Sequence, residues 1–220
     1  MAIKPILFNT EMVRAILDGR KTCTRRLVSS RQFLGMLPDK CKNAAPDEFL
    51  KGKRMMFKPY CDMTDAELIM TAYKAPYEPG DILYVRETWK KAPNGYYYYE
   101  DWQRNDIADV TKWKPSIYMP KEAARIWLKV TDVRVERLQS ITIEGAIREG
   151  AEGEKCPHTN VGAFGCTDCL NTGWIEPPQV EFMQIWNSII KKSDIDRYGW
   201  DANPWVWVIE FERCEKPEGV

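Results

Sequence analysis

The run Gly19-Arg20-Lys21-Thr22-Cys23-Thr24-Arg25-Arg26 puts two hydroxyls and four cations into eight residues. A lysine near a threonine hydroxyl can act as base and nucleophile, and Arg20, Arg25 and Arg26 can hold an anionic or carbonyl-rich ligand. The same residues also suit a solvated basic turn. Geometry separates the two readings. Side chains alternate along a regular strand, so Lys21 and Thr24 share one cleft only if the chain bends just after Gly19. Cys23, alternating with Lys21 and Arg25, reads as a packing thiol rather than a nucleophile.

A second group with chemistry is Cys156, His158, Cys166 and Cys169, followed by Asn171-Thr172-Gly173. His158 is the sole histidine of the sequence, and three of its seven cysteines fall in this stretch. Three thiolates and one imidazole form an ordinary tetrahedral structural zinc site, closed to substrate. The pair Cys166 and Cys169 has the usual knuckle spacing. The first pair departs from it, because position 159 carries Thr159 and the second ligand becomes His158. A degenerate ribbon of thiols held by packing is the alternative. An odd cysteine count argues against a disulfide framework, and no motif points to an organic cofactor.

The elements that must position these groups follow from periodicity and punctuation. Residues 3–8 suggest a strand. Thr10 is placed to cap a helix over 11–18, whose apolar face is Met12, Val13, Ile16 and Leu17 and whose stop is Gly19. Residues 29–76 lack a sustained period and carry four prolines, so they read as an insertion with a short helix near 64–71. Pro79-Gly80-Asp81 is a turn launching a strand over 82–87. Residues 90–120 suggest a hairpin and loop, in which Tyr96–Tyr99 would place two rings on each face. Those rings, with Trp89 and Trp102, suit either base stacking or hairpin packing.

Residues 124–137 alternate as a long strand, with Ile126, Leu128 and Val130 on one face. A short helix over 142–149 ends at Gly150, the cysteine loop runs to Pro178, and an amphipathic helix covers about 179–192. Trp205, Trp207, Ile209 and Phe211 alternate with Val206, Val208, Glu210 and Glu212 in a closing strand. Strands at both ends of the chain favour a closed or nearly closed barrel in one α+β domain spanning 1–220.

Lysine plus arginine (32) equals aspartate plus glutamate (32), which excludes a strongly basic nucleic-acid coat but not a local basic cleft. No apolar run suits a membrane span, and the N-terminus lacks the apolar core of a signal peptide, so a cytoplasmic protein is expected.

Gly19, Lys21, Thr24 and Arg26, then Pro79-Gly80-Asp81, Glu149 and the strand Trp205–Glu212, occur in an order that resembles the ASCH family of the PUA-like fold. Residues 4–22, 85–89 and 200–213 are similar to the longer ASCH proteins of phages and prophages. The stretches at about 29–76, 90–120 and 151–178 lie outside that resemblance. It implies a small β-barrel with flanking short helices and a cleft for RNA or a modified nucleoside. A small bacterial member removes acyl groups from the exocyclic nitrogen of cytidine, and its lysine, threonine and glutamate match Lys21, Thr24 and Glu149.

On that implication Thr24 is the nucleophile and Lys21 the base, once it has lost its proton. Glu149 would protonate the departing amine or activate the resolving water. Arg26 or Arg125 would orient the base or stabilise the oxyanion, and Glu87 would be a further carboxylate at the cleft. Glu149 could equally be a solvated helix end or a partner of Arg148, and Glu87 an outward salt-bridge member. A binding module for RNA or a modified base, a ribonuclease, and a phage interaction protein are the alternatives to the hydrolase.

Overall fold

The structure, a computed structural model, describes residues 1–32, 64–104, 112–157, 169 and 172–219. The chain is a mixed α+β protein. Its elements are β1 (Ile3–Leu7), α1 (Thr10–Leu17), β2 (Cys23–Leu27), α2 (Asp65–Ala72), β3 (Ile82–Arg86), β4 (Trp89–Ala92), β5 (Gly95–Tyr98) and α3 (Tyr99–Arg104). There follow β6 (Trp127–Arg137), α4 (Ile143–Arg148), β7 (Glu154–Lys155), β8 (Trp174–Glu176), α5 (Pro178–Ile189), α6 (Ile195–Tyr198) and β9 (Trp205–Cys214).

A five-stranded sheet has the order β1-β3-β6-β9-β2, and β4–β5 and β7–β8 are separate two-stranded ribbons. β1 pairs in parallel with β3, Ile3 opposite Ile82 and Leu7 opposite Arg86, whereas β3 and β6 are antiparallel with Leu83 opposite Leu128. Among the described residues β1 and β2 are the sheet's two edges and do not pair, so the expected closed barrel is not found; the sheet is open.

Two compact units divide the chain. The first comprises Met1–Cys23, Tyr77–Val133 and Ile209–Val220, the second Thr24–Pro76 and Arg134–Val208. In the first, Ile82, Trp89, Met119, Ala123, Ala124 and Trp127 form a buried cluster. In the second, the cluster gathers Leu138, Ile141 and Ala146 with Phe182, Trp186, Val206 and Val208.

Local chemistry explains the boundaries. The cap of α1 is Asn9 rather than Thr10: the Asn9 side chain accepts from the Met12 N–H at 2.8 Å, and Thr10 is already the first helical residue. A full capping box, Thr64 with Glu67, opens α2. At Glu78–Asp81 the chain turns through Gly80 at φ +89°, and the buried Asp81 carboxylate accepts from Lys4 and from the Ala2 and Glu78 N–H groups.

β6 begins at Trp127, three residues later than alternation suggested, because Lys121–Ala123 form a 3₁₀ turn just before it. α5 spans 178–189, with Pro178 at a helix start where its missing N–H costs nothing. In β9 every residue from Trp205 to Ile209 is buried, where alternation predicted one buried face. A central strand is covered on both faces, and its sequence then reads as an uninterrupted apolar run. No helix among the described residues is long and apolar enough to cross a membrane.

Candidate functional site

The chain turns at Gly19. Gly19 takes φ +76°, and the N–H groups of Arg20 and Lys21 both donate to Ala15 O, at 2.9 and 3.0 Å. Lys21 therefore precedes β2 instead of lying on it. Its side chain is 2% exposed, with Nζ 5.6 Å from the centre of the Phe8 ring, which in turn packs against Phe211. Arg20 stays partly exposed beside Asp18, at 3.4 Å. Burial of a lysine in this setting contradicts the solvated-turn reading.

In the second unit β2 opens with buried Thr24 and Arg25. Arg25 Nη1 donates to Glu149 Oε1 and Nη2 to Glu136 Oε2, each at 3.3 Å, and its guanidinium carbon is 5.8 Å from the Phe182 ring centre. Glu136 also accepts from Arg134 Nε at 2.6 Å. Glu149 is the C-cap of α4, whose N-cap Thr142 holds the Gly145 N–H. A carboxylate at a helix C-terminus faces the partial negative charge of the last carbonyls. The Arg25 guanidinium offsets that, so Glu149 partners Arg25 in addition to ending the helix.

Gly145 is part of the same arrangement. A Cβ there would stand 3.3 Å from Arg25 Nη2 and 3.2 Å from Ile141, so a glycine inside α4 leaves the guanidinium its room. Alternation along β2 turns Thr24 to the face opposite Cys23 and Arg25. Arg25, not Thr24, therefore takes Glu149. Cys23 is a buried packing thiol, as expected, and Arg26 is partly exposed.

Glu87 and Arg125 were expected at the same cleft as substrate-binding groups. The structure gives them to each other. Arg125 Nε and Nη2 bind the two Glu87 oxygens at 2.9 Å each, and Nη1 binds both Asp101 oxygens at 2.7 and 2.8 Å. The guanidinium carbon lies 4.0 Å from the Tyr98 ring centre. Glu87 is 2% exposed rather than outward-facing.

Burial pushes the Glu87 carboxyl above its ordinary value, and Arg125 only partly opposes this. For Arg125 burial disfavours the charge, but the bonds and charges of Glu87 and Asp101 outweigh it and hold the proton more tightly. Next to this cluster Arg14 Nε binds buried Glu100 at 2.9 Å.

Of the four candidate zinc ligands, His158 and Cys166 lie outside the described residues. Cys156 is half-buried and Cys169 buried, and neither is in a disulfide. The β7–β8 ribbon forms a stem beneath the loop: Cys156 N–H donates to Gly173 O at 3.0 Å, and Thr172 donates to Cys169 O through its N–H and its hydroxyl.

A cavity of about 250 Å³ in the second unit, lined by Val28, Tyr198, Pro204 and Trp205 among others, involves none of the candidate catalytic, substrate-binding or metal residues read from the sequence. Sequence reasoning missed Glu136, Gly145, Phe182 and Asp101. Only Gly145, a helix-interior glycine, carried a signal. No protein-family model, curated protein or solved structure matches the chain, and the ASCH resemblance rests on its motifs alone.

Proposed function

We propose that this chain is an ASCH-type protein of the PUA-like fold that hydrolyses an amide on a modified base, N4-acylcytidine-like, with Thr24 as nucleophile and Lys21 as base. The observation that carries the reading is the reversal at Gly19 together with the near-complete burial of Lys21 and Thr24, three residues apart. Burying a cation is expensive, and a purely structural turn would leave it in water.

In the proposed reaction the Thr24 hydroxyl oxygen attacks the acyl carbonyl and its proton passes to Lys21. Lys21 returns that proton to the exocyclic nitrogen, which leaves as the amine. Water then attacks the threonine ester. Lys21, having given up the first proton, accepts the water's proton and passes it to the Thr24 oxygen, releasing the carboxylic acid, while Glu149 stays paired with Arg25.

Mass analysis of products from N4-acetylcytidine, other acylated nucleosides and short RNA tests this. Wild type should release the acyl group, and Thr24→Ala and Lys21→Ala should each abolish release while remaining folded. Strand scission would replace the reading with a ribonuclease, and unaltered ligands would end it for those substrates.

A second reading is that the same groups hold a modified base without converting it. The alternation that separates Thr24 from Arg25 and Glu149 favours this reading, because a fixed carboxylate–guanidinium pair suits recognition of a base edge. Binding of N4-acetylcytidine without turnover would select it.

The thiolate and imidazole donor set of Cys156, His158, Cys166 and Cys169 fits structural zinc, and the ribbon stem brings the two ends of the loop together. We expect the purified protein to carry zinc in stoichiometric amount and Cys169→Ser to lose it, with a lower thermal midpoint. Metal-free protein of unchanged midpoint would assign the loop to packing alone.

A further inference from the structure

We propose that the cavity of about 250 Å³ in the second unit binds a free α-amino acid with a large apolar side chain, at a site separate from Lys21 and Thr24 and not dependent on the deacylase reading. Strand pairing builds its base. Val28, just past β2, donates its N–H to Trp205 O at 3.0 Å, and Leu138, just past β6, donates to Pro204 O at 3.0 Å. The ends of two strands therefore meet the start of β9. Val28, Pro204 and Trp205 are buried there and give the cavity an apolar base. The Arg137 guanidinium carbon lies 4.2 Å from the Trp205 ring centre and steadies that ring.

The wall is anchored by the protein itself. After α6 the chain folds back through a 3₁₀ turn, Trp200–Ala202, to Asn203 at φ +44°. Asparagine tolerates this left-handed conformation, and two bonds hold it. Its side-chain oxygen accepts from the Gln139 N–H at 2.9 Å, and its carbonyl accepts from Arg137 Nη1 at 3.1 Å. Asn187 accepts from the Trp200 N–H and Gln139 donates to the Trp200 carbonyl, each at 2.9 Å. Trp186 Nε1 donates to Tyr198 O at 2.8 Å. A wall with this many anchors loses little freedom on binding, which helps a small ligand most.

Size and charge select the occupant. The volume is about eight times the share of one water and falls below the range of about 300–1,000 Å³ that drug-sized ligands occupy. It suits a molecule of amino-acid size and not a nucleotide or coenzyme. Asp196, Arg197 and Tyr198 also line the cavity, the first two exposed and Tyr198 half-buried, which puts them at its mouth. The Asp196 carboxylate and the Tyr198 hydroxyl have no partner among the described residues. The Arg197 guanidinium carbon is 4.9 Å from the Tyr198 ring centre. A simple anion would meet Asp196, and a simple cation would meet Arg197. A zwitterion satisfies both: its ammonium takes Asp196 and the Tyr198 hydroxyl, its carboxylate takes Arg197, and its side chain covers the apolar base.

The test is isothermal titration calorimetry of the full chain at two temperatures with leucine, methionine and phenylalanine, and with glycine as the control that lacks a side chain. The three large amino acids should bind and glycine should not. Acetylation removes the ammonium charge and amidation removes the carboxylate. N-acetylphenylalanine and phenylalaninamide should therefore each bind about tenfold or more weakly than phenylalanine. Asp196→Asn should weaken phenylalanine to a similar degree and leave N-acetylphenylalanine unchanged, and Arg197→Gln should weaken phenylalanine and leave phenylalaninamide unchanged. No heat from any of the three at either temperature, or glycine binding as tightly as phenylalanine, would overturn the site. So would capped derivatives as tight as the free amino acid, or variants that weaken free and capped forms alike. Both substituted residues are exposed, so an unchanged circular dichroism spectrum separates lost binding from lost folding.

Discussion

Replacing Arg25 with methionine should lower the unfolding free energy by about 3 kcal/mol, toward the lower end of what breaking a buried ion pair costs. Arg25 and Glu149 are both buried, and the substitution leaves Glu149 as an unpaired carboxylate at the C-terminus of α4. Glu136 adds little to the loss, because it is more exposed and keeps Arg134 at 2.6 Å. Bonds of 3.3 Å to Arg25 place the expected cost at the lower end rather than the upper.

The change should appear as a lower urea midpoint with unaltered slope. A domain of ordinary stability, about 5–15 kcal/mol, would lose a large share of it. Combining Arg25→Met with Glu149→Leu should recover most of the loss, since a packed apolar pair is often as stable as the buried ion pair it replaces. A single variant within 1 kcal/mol of wild type would mean that water or another group already solvates Glu149.

Glu149 also shows how far sequence reaches. Its helix was legible because Thr142 and Gly150 punctuate a short stretch, and β1, β3, α1 and the final strand were legible for the same reason. The helix stop at Gly19 was legible and is found, with φ +76°. Partnership was not legible. Arg25 and Glu149 are 124 residues apart, and Glu87 and Arg125 are 38 apart, distances over which no periodicity acts.

Barrel closure was inferred from strands at both chain ends, yet strand order is set by long-range pairing. β1 lies beside β3, and β2 lies at the other edge. The Asn9 cap was missed by one residue because Asn9 and Thr10 are both good caps and local sequence does not choose between them. The tyrosine run was resolved only by its partners: register sends Tyr96 and Tyr98 inward and leaves Tyr97 outside.

Arg125→Met should cost about 3 kcal/mol near neutral pH, and the cost should shrink as the solution is made more acidic. Arg125 spans Glu87 and Asp101 and lies on the Tyr98 ring, so it ties the end of β3 to the hairpin and α3. Without it, Glu87 is a buried carboxyl with no cation, and the cheapest response is to take up a proton.

The sign follows from the direction of the shift. In wild type burial already raises the Glu87 value above 4.5, against the lowering by Arg125. A carboxyl whose folded value is raised contributes stability that is fully present below its unfolded value and is lost as pH rises through the folded one. Removing Arg125 removes the opposing effect, so the folded value climbs further and the loss extends to higher pH. Wild type and variant should therefore be closest below about pH 4.5 and diverge above it, measured as urea unfolding across a pH series.

Glu87→Gln in the Arg125→Met background should abolish this divergence, because the amide cannot titrate. A difference between wild type and Arg125→Met that is constant with pH would show that the arginine acts through packing on Tyr98 and not through Glu87.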